Sequence, residues 1–214
     1  MKRLQVMVGG VVAALLLSVM PAVAWLTLPI ADDADTAQGV MRLGAGVTLE
    51  SDVNLYGARF TYGAADGLAL FGGGGLVDPD GIDSEPFFQL GAQYKLPIYD
   101  LPFDLAVRGA FGYVSFSDRH GGVKSDLDIW MINIGLLASW DLDVVSVYGF
   151  GGISHQNYDW TVSGMGQRYS EDDSETELAI GGGVLFPLDD RISFYGELMH
   201  IDELFISLGG RFEF

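Results

Sequence analysis

The sequence contains no cysteine, which excludes a disulfide framework and any metal site built on thiolates. Basic residues are scarce, with 11 Lys and Arg against 29 Asp and Glu and a formal net charge of −18. This balance argues against binding to nucleic acid, which requires a basic surface. No stretch after residue 24 shows the period of an amphipathic helix or a domain boundary. The 30 glycines in 214 residues favour strands and tight turns instead.

The first 24 residues carry the features of a cleaved secretory signal peptide. The basic start "MKR" precedes an apolar run from Val6 to Met20, and Ala22-Val23-Ala24 forms a small-residue cleavage site. A membrane anchor helix is the alternative, but the run is short of the about 20 apolar residues that a span requires. Cleavage would remove Lys2 and Arg3 and leave nine basic residues beside the 29 acidic ones. Residues 25–36 then form a leader with no clear period.

Ten stretches between residue 37 and the C-terminus alternate as strands do. Their predicted spans are 38–49, 53–63, 67–76, 86–96, 102–116, 126–140, 143–154, 175–187, 190–201 and 203–214. The polar stretch 155–174 is predicted to be a long loop. The other links alternate roughly between long and short, which is typical of a membrane barrel with short turns at one rim and longer loops at the other.

The two faces of these strands differ in a way that suits lipid. The stretch 38–49 places Leu43 and Val47 on one face and Arg42 and Gly44 on the other, and similar patterns occur in 86–96 and 175–187. A soluble barrel with a small or polar interior would lack a core, whereas an apolar exterior suits acyl chains. We therefore predict an all-β fold, a single antiparallel up-and-down transmembrane β-barrel over residues 37–214, with ten strands. Eight or twelve strands are compatible alternatives.

The spacing of two tryptophans agrees with a membrane-crossing strand. Trp130 and Trp140 share a face of the stretch 126–140, with apolar residues between them. Ten residues at about 3.3 Å each, tilted by about 40°, project to roughly 25 Å, the height of the apolar band between aromatic girdles.

The C-terminal sequence "GGRFEF" resembles the assembly signal of Gram-negative outer-membrane β-barrel proteins. The matching residues are Gly209, Phe212 and the terminal Phe214. The resemblance, which is to small porin-like barrels of eight to twelve strands, implies that the barrel assembly machinery recognises this last strand. It also implies a location in the outer membrane, a periplasmic leader at residues 25–36, and contact with membrane lipid and lipopolysaccharide.

Most of the scarce basic residues fall on the face predicted to line the lumen. Because buried charges need partners, we predict an ion-pair network inside the barrel. Its candidate members are Arg42, Arg59, Lys95, Asp104, Arg108, Glu177, Glu197, Arg211 and Glu213. If the network fills the lumen, the protein is a structural or surface-interaction barrel. If the lumen glycines leave space, it is a narrow porin-like channel.

An enzymatic function is the alternative. The omptin proteases, a family of ten-stranded outer-membrane barrels, use an aspartate pair and an aspartate–histidine pair at the extracellular rim. Asp126 and Asp128, together with His200 and Asp202, resemble these pairs in reversed order. We expect a protein that is not an enzyme, with an omptin-like or lipid-modifying barrel as the alternative.

No cofactor is expected from the motifs. The acidic connection "DPDGIDSE" places Asp78, Asp80, Asp83 and Glu85 around Gly81, which weakly resembles a calcium loop without the EF-hand spacing. Calcium or magnesium at such acidic loops could bridge them to anionic lipopolysaccharide.

Overall fold

The structure, a computed structural model, describes residues 32–81, 83–120, 122–164 and 167–214. The predicted signal peptide and leader residues 25–31 lie outside these ranges. Ten strands are present: β1 (Met41–Leu49), β2 (Val53–Ala65), β3 (Leu68–Pro79), β4 (Glu85–Lys95), β5 (Asp104–His120), β6 (Val123–Leu142), β7 (Val145–Gly164), β8 (Gln167–Pro187), β9 (Ile192–Ile201) and β10 (Glu203–Glu213). Each pairs antiparallel with its neighbours in sequence, and β1 pairs with β10 to close the barrel. The predicted fold and strand number are confirmed.

No helix among the described residues is long and apolar enough to cross a membrane.

The barrel has two ends, which we name by the chain termini. The terminal end carries the start of β1 and the last residue, Phe214, whose N–H donates to the Met41 carbonyl at 2.9 Å. The far end carries the turn between β1 and β2 and the turn between β9 and β10.

The outer surface is apolar, as the strand patterns predict. Leu43, Leu90 and Ile180 point outward and are 45%, 54% and 59% exposed. Trp140 shares this outward face of β6 with Ile132, Ile134 and Leu136. A belt of exposed large apolar residues suits acyl chains and would be unstable in water.

Four strands extend farther at the far end than the sequence pattern indicates, β7 and β8 most of all. Strands β5 to β8 have 17, 20, 20 and 21 residues, whereas the other six have 9 to 13. The long loop predicted at 155–174 was wrong, because β7 and β8 pair throughout, from Ser146↔Leu185 to Gly164↔Gln167. Strands surrounded by water can be polar on both faces while their backbones still pair, so they lack the apolar alternation that signals a strand.

These extensions form a sheet that continues at the far end past the point where pairing with β4 and β9 stops, and Phe116 and Leu127 on its inner face pack against the barrel interior. Residues 115–120 of β5 pair only with β6, and residues 167–179 of β8 pair only with β7. We call residues 115–120, 123–128, 152–164 and 167–179 the projecting sheet.

The lumen is filled by side chains, including large apolar ones that the sequence reading did not place there. One cluster occupies the far half and contains Val53, Leu55, Val77, Phe87, Val114, Phe116, Leu127, Ile129, Met131 and Tyr158. A second contains Ala34, Ala106, Leu137, Tyr148, Phe150, Ala179, Leu185, Tyr195, Met199, Ile201 and Phe205. The inner face is small or polar along the stretch 38–49, but Phe87 and Leu185 point inward from the other two example stretches, and the inner faces of β5 to β7 mix large apolar residues with polar ones. The interior therefore has a packed core.

Inward glycines make room for inward aromatic rings. A β-carbon on Gly135 would lie 2.6 Å from Cζ of Phe150, and one on Gly183 would lie 2.5 Å from Cζ of Tyr148. Tyr195 covers Gly46 and Gly209 in the same way, and Phe71 covers Gly91. The space that these glycines leave is occupied by aromatic rings.

Candidate functional site: the closed lumen and its two ends

An aspartate that precedes the first strand lies at the centre of the charged interior. Asp32 is 2% exposed, and its Oδ2 accepts hydrogen bonds from Arg59 Nη2 at 2.7 Å and Thr61 Oγ1 at 3.1 Å. Nη1 atoms of Arg42 and Arg211 each lie 3.6 Å from its Oδ1. Three guanidinium groups thus surround one buried carboxylate.

The residues after Asp32 continue through the interior of the terminal end. Arg42 Nη1 donates to Asp33 Oδ1 at 2.6 Å, and Gln93 Nε2 donates to the Asp33 carbonyl at 2.8 Å. The Ala34 N–H donates to Ser139 Oγ, across the barrel on β6, at 2.8 Å. Because these partners come from β1, β4 and β6, residues 32–36 occupy the lumen. We call them the inserted segment.

Two ion pairs of the predicted lumen set lie toward the terminal rim. Arg42 Nε donates to Glu213 Oε2 at 2.8 Å, which ties β1 to β10. Lys95 Nζ lies 2.8 Å from Asp104 Oδ1 and 2.7 Å from Asp35 Oδ2 of the inserted segment. The structure thus brings together Arg42, Arg59, Arg211 and Glu213 around the inserted segment, with Lys95 and Asp104 beside it.

Of the remaining predicted members, Arg108 is connected to this cluster through Gln93, whereas Glu197 and Glu177 have other surroundings. Arg108 donates to Gln93 Oε1 at 3.1 Å and stacks on the Phe71 ring, 4.0 Å from its centroid. Glu197 accepts a hydrogen bond from the Tyr148 hydroxyl at 2.7 Å. Glu177 lies on β8 within the projecting sheet.

Sequence reasoning missed Asp32, Asp33 and Asp35, which it assigned to a leader without structure of its own. A usable signal was present. The predicted lumen set has five cations, and an acidic tract immediately precedes the first strand. Since buried cations need partners, an acidic segment tethered next to them is a natural source of carboxylates.

The far rim carries a second polar group, which lies in the turn after β1. Ser51 Oγ lies 2.9 Å from Glu50 Oε1 and 3.2 Å from Glu203 Oε2. Partial burial, followed by the hydrogen bond shared with the Glu203 carboxyl, raises the pKa of Glu50 to about 7. Two carboxyl groups this close share a proton more readily than they carry two charges.

The candidate protease residues do not converge. Asp126 and Asp128 lie on the outward face of β6, where Asp126 pairs with Lys124 at 2.7 Å and Asp128 accepts from the Tyr113 hydroxyl at 2.6 Å. His200 of β9 pairs with Ile180 of β8, which pairs with Gly151 of β7, which pairs with Leu136 of β6. His200 is therefore at the level of Leu136 on β6. Leu136 is eight residues from Asp128, or roughly 26 Å along the strand at about 3.3 Å per residue. A general base needs its partner within hydrogen-bond reach.

The candidate calcium residues likewise do not form a visible site. Asp78 accepts a hydrogen bond from the Ser84 hydroxyl. No group of three or more acidic or histidine side chains in the described ranges could hold a metal ion.

The residues of the C-terminal motif lie in the closing strand. Phe212 pairs with Leu43 of β1 and Ile192 of β9, and its ring meets Phe214 edge-on at 4.8 Å between centroids. Gly209 lies beneath the Tyr195 ring.

A closed antiparallel barrel with an apolar exterior and a packed polar and apolar interior defines a transmembrane β-barrel protein. The family model "Outer membrane protein beta-barrel domain" matches residues 10–207, and the chain belongs to this family of outer-membrane proteins. No curated protein matches the chain.

Solved structures resemble the fold at low sequence identity. The outer-membrane protease OmpT from Escherichia coli is 10% identical, with a TM-score of 0.51 over 88% of this chain and 99% of that one. The translocator domain of the autotransporter NalP from Neisseria meningitidis is 12% identical, with a TM-score of 0.50 over 81% and 85%. The attachment invasion locus protein Ail of Yersinia pestis is 19% identical, with a TM-score of 0.40 over 83% and 99%. At these identities the likeness extends to the fold alone.

Proposed function

We propose that this protein is a non-enzymatic outer-membrane barrel that does not conduct, and whose rigid body displays the projecting sheet outside the cell. In barrels of this class the longer segments between membrane-spanning strands lie outside the cell. The projecting sheet lengthens two of these segments at the far end, so we assign the far end to the extracellular side and the terminal end to the periplasm. The observation that carries the proposal is the filled lumen.

Two successive barriers support a closed barrel. In the periplasmic half, the inserted segment binds Arg42, Arg59 and Arg211. In the extracellular half, side chains such as Phe116, Ile129 and Met131 are at most 1% exposed. An ion entering from either side would meet buried side chains.

Display of the projecting sheet follows from its size and polarity. Both of its outer strands extend past their barrel-side neighbours, and nearly every residue of β8 from Gln167 to Thr176 is exposed. An apolar band holds the barrel in the membrane, and polar strands of this kind remain in water.

Planar-bilayer recording of the refolded protein tests the closed state. We expect no steady conductance under conditions in which a general porin conducts. A variant carrying Tyr148→Ala and Tyr195→Ala, which removes two rings that cover glycines, should open intermittently. Steady conductance of the unmodified protein, altered by Arg42→Ala, would instead support the narrow-channel hypothesis.

Cysteine labelling of intact cells tests the orientation, because the chain has no cysteine of its own. A membrane-impermeant maleimide should label Ser170→Cys on the projecting sheet. It should label Asp190→Cys, in the turn between β8 and β9, only after the outer membrane is broken. The reverse pattern would contradict the proposed orientation.

The C-terminal strand is proposed to be read by the barrel assembly machinery. Deletion of Phe214 should then reduce the heat-modifiable, folded fraction in the outer membrane. Arg211→Ala should leave insertion intact and lower stability. Binding of lipopolysaccharide through divalent cations at the acidic loops stays a prediction, which calorimetric titration with calcium would test.

A further inference from the structure

The open edge of β8 in the projecting sheet has the features of a docking site for another strand. Residues 167–179 have β7 on one side and, within the part of the chain that the structure describes, no strand on the other, because pairing with β9 begins at Ile180. Thirteen residues at about 3.3 Å each give an open edge of roughly 43 Å. An edge of this length presents backbone donors and acceptors that can pair with an added strand.

One hydrogen bond identifies the residues that face the open side. The N–H of Ser174 donates to its neighbour Asp173 Oδ1 at 2.8 Å. Leu188 follows the end of β8 and, like Ser174, has an even number. Its N–H donates to the Ile192 carbonyl, which lies on the β9 side. The N–H and C=O of one strand residue point the same way, and they alternate along the strand. The even-numbered residues from Arg168 to Leu178 therefore direct their backbone groups to the open edge.

The side chains of the odd-numbered residues form an acidic row on the inward face of the same strand. Ala179 is buried inside, so Glu171, Asp173, Glu175 and Glu177 share its inward side. The Tyr169 hydroxyl, on this face, donates to Glu171 Oε2 at 3.0 Å. Burial, and then the charges of Glu175 and Glu177, raise the pKa of the Tyr158 hydroxyl on neighbouring β7. The row is thus next to the aromatic inner surface of the sheet.

Charge decides which kind of strand fits this edge. A second copy of β8 paired antiparallel would place acidic residues opposite acidic residues, and like charges directly opposite destabilise a pair. Between Gln167 and Ala179 there are five acidic residues and one basic residue, Arg168. A strand with basic side chains on its inward face would instead form a cross-strand ion pair with each member of the row.

We propose that the open edge of β8 binds an extended cationic polypeptide segment, with lysine or arginine at every second position, as an added strand outside the cell. The alternate positions match Glu171, Asp173, Glu175 and Glu177, and the backbone pairs with the even-numbered residues. This proposal deepens the proposed surface role and rests on it.

The test uses the full-length protein in nanodiscs of zwitterionic lipid and three fluorescent peptides. One alternates lysine and threonine over eight residues, one has the same composition with the lysines in a block, and one is the alternating peptide N-methylated at the backbone groups that would pair. Fluorescence anisotropy should show at least about tenfold tighter binding of the alternating peptide than of either other peptide, with affinity falling as salt rises. Equal binding of all three would overturn the proposal, because diffuse charge attraction would then suffice.

Neighbouring acidic residues of β8 provide a matched pair of variants. Asp173→Asn removes a charge from the inward row and should weaken the binding of the alternating peptide about two- to fivefold. Asp172→Asn, on the outward face, should change the affinity for this peptide less. Ser174→Pro replaces an N–H on the open edge by the proline ring, which blocks the approach of an added strand and should abolish binding, with the fold checked by circular dichroism and heat-modifiable mobility. An edge strand tolerates proline at such a position.

Two further outcomes would separate this inference from the proposed function. Failure of every peptide to bind, in a protein that does not conduct and is labelled at Ser170→Cys in intact cells, would overturn the cationic strand and leave the displayed, closed barrel standing. Dimers of the unmodified protein in detergent that Ser174→Pro abolishes would show that a second copy occupies the edge, which would also overturn the proposal.

Discussion

The two halves of the lumen are filled by different chemistry. The half at the terminal end is filled by charged groups, with Asp32 and Asp33 of the inserted segment held by Arg42, Arg59 and Arg211. The half at the far end is filled by apolar packing around residues such as Phe116 and Leu127. The first seal involves a segment that lies outside the barrel strands, whereas the second is made by the strands themselves.

This difference has consequences for strength and for specificity. A buried ion pair stabilises little relative to an apolar replacement of the pair, but loss of one partner leaves a charge without compensation. An apolar core loses stability in proportion to the volume removed and the cavity left. The charged half should therefore respond sharply to single substitutions, and the apolar half more gradually.

The largest effect is expected from Arg59→Met in the charged half. It removes the closest cation from Asp32 and leaves a buried carboxylate with less compensation, at a cost of about 3–5 kcal/mol. Urea unfolding in lipid vesicles, followed by tryptophan fluorescence, measures this change. Arg191→Met, at an exposed turn, is the matched control and should lie within about 0.5 kcal/mol of the unmodified protein. Similar losses of unfolding free energy for the two variants would mean that the charged cluster in the lumen does not contribute to the stability of the barrel.

In the apolar half, Leu127→Ala should cost about 2–5 kcal/mol, since this fully buried side chain leaves a cavity. Leu136→Ala on the same strand faces outward, is 48% exposed and should cost less, because lipid fills the space. The same unfolding assay applies. An equal cost for both would contradict the assignment of the inner face as the packed one.

Glycine replacements test the contacts between glycines and rings. Gly135→Ala places a methyl group against Phe150 and should destabilise the barrel by about 1–3 kcal/mol through overpacking. Gly151→Ala has no atom within 4 Å of the new methyl group and is the control. If both variants unfolded at the same urea concentration, the interior would have free space and the closed lumen would be in question.

The smallest effect concerns the rim pair of Glu50 and Glu203. The folded pKa of Glu50, about 7, lies above its ordinary value of 4.5, so its protonation stabilises the fold at low pH. That stabilisation is lost as pH rises from about 5 to 8. Glu50→Gln should remove this dependence and make the protein more stable than the unmodified form at pH 8, by on the order of 1 kcal/mol after solvent screening. Parallel pH profiles of the two proteins would contradict the shared proton.

The membrane-spanning portion of the fold was predictable because lipid imposes a pattern. Residues such as Leu43 and Leu90 must be apolar, and their alternation is visible in the sequence. The projecting part of β8 was not predictable in this way, since acidic residues from Glu171 to Glu177 lie in water on both faces. Only backbone pairing keeps that stretch extended, and pairing leaves no trace in residue type.

The candidate site was predictable only in part, for a different reason. The alternation of side chains along each strand places Arg42, Arg59 and Glu213 on the inner face. This alternation cannot show what fills the lumen between the strands. The inserted segment has no strand period, and its position depends on contacts with Gln93 and Ser139 far along the chain. The contact of the Phe150 ring with Gly135 likewise depends on two strands together, so neither stretch of sequence reveals it alone.

The closing seam has a consequence for the order in which the barrel forms. Arg42 and Glu213, which meet across β1 and β10, are separated by 171 residues. All other strand pairs are local hairpins, and this pair alone requires the whole chain. Long-range closure of this kind is slow, and until it happens both edge strands remain open to wrong partners. A chain truncated before β10 would be a sheet with two open edges, so truncation should produce aggregation and not a smaller barrel.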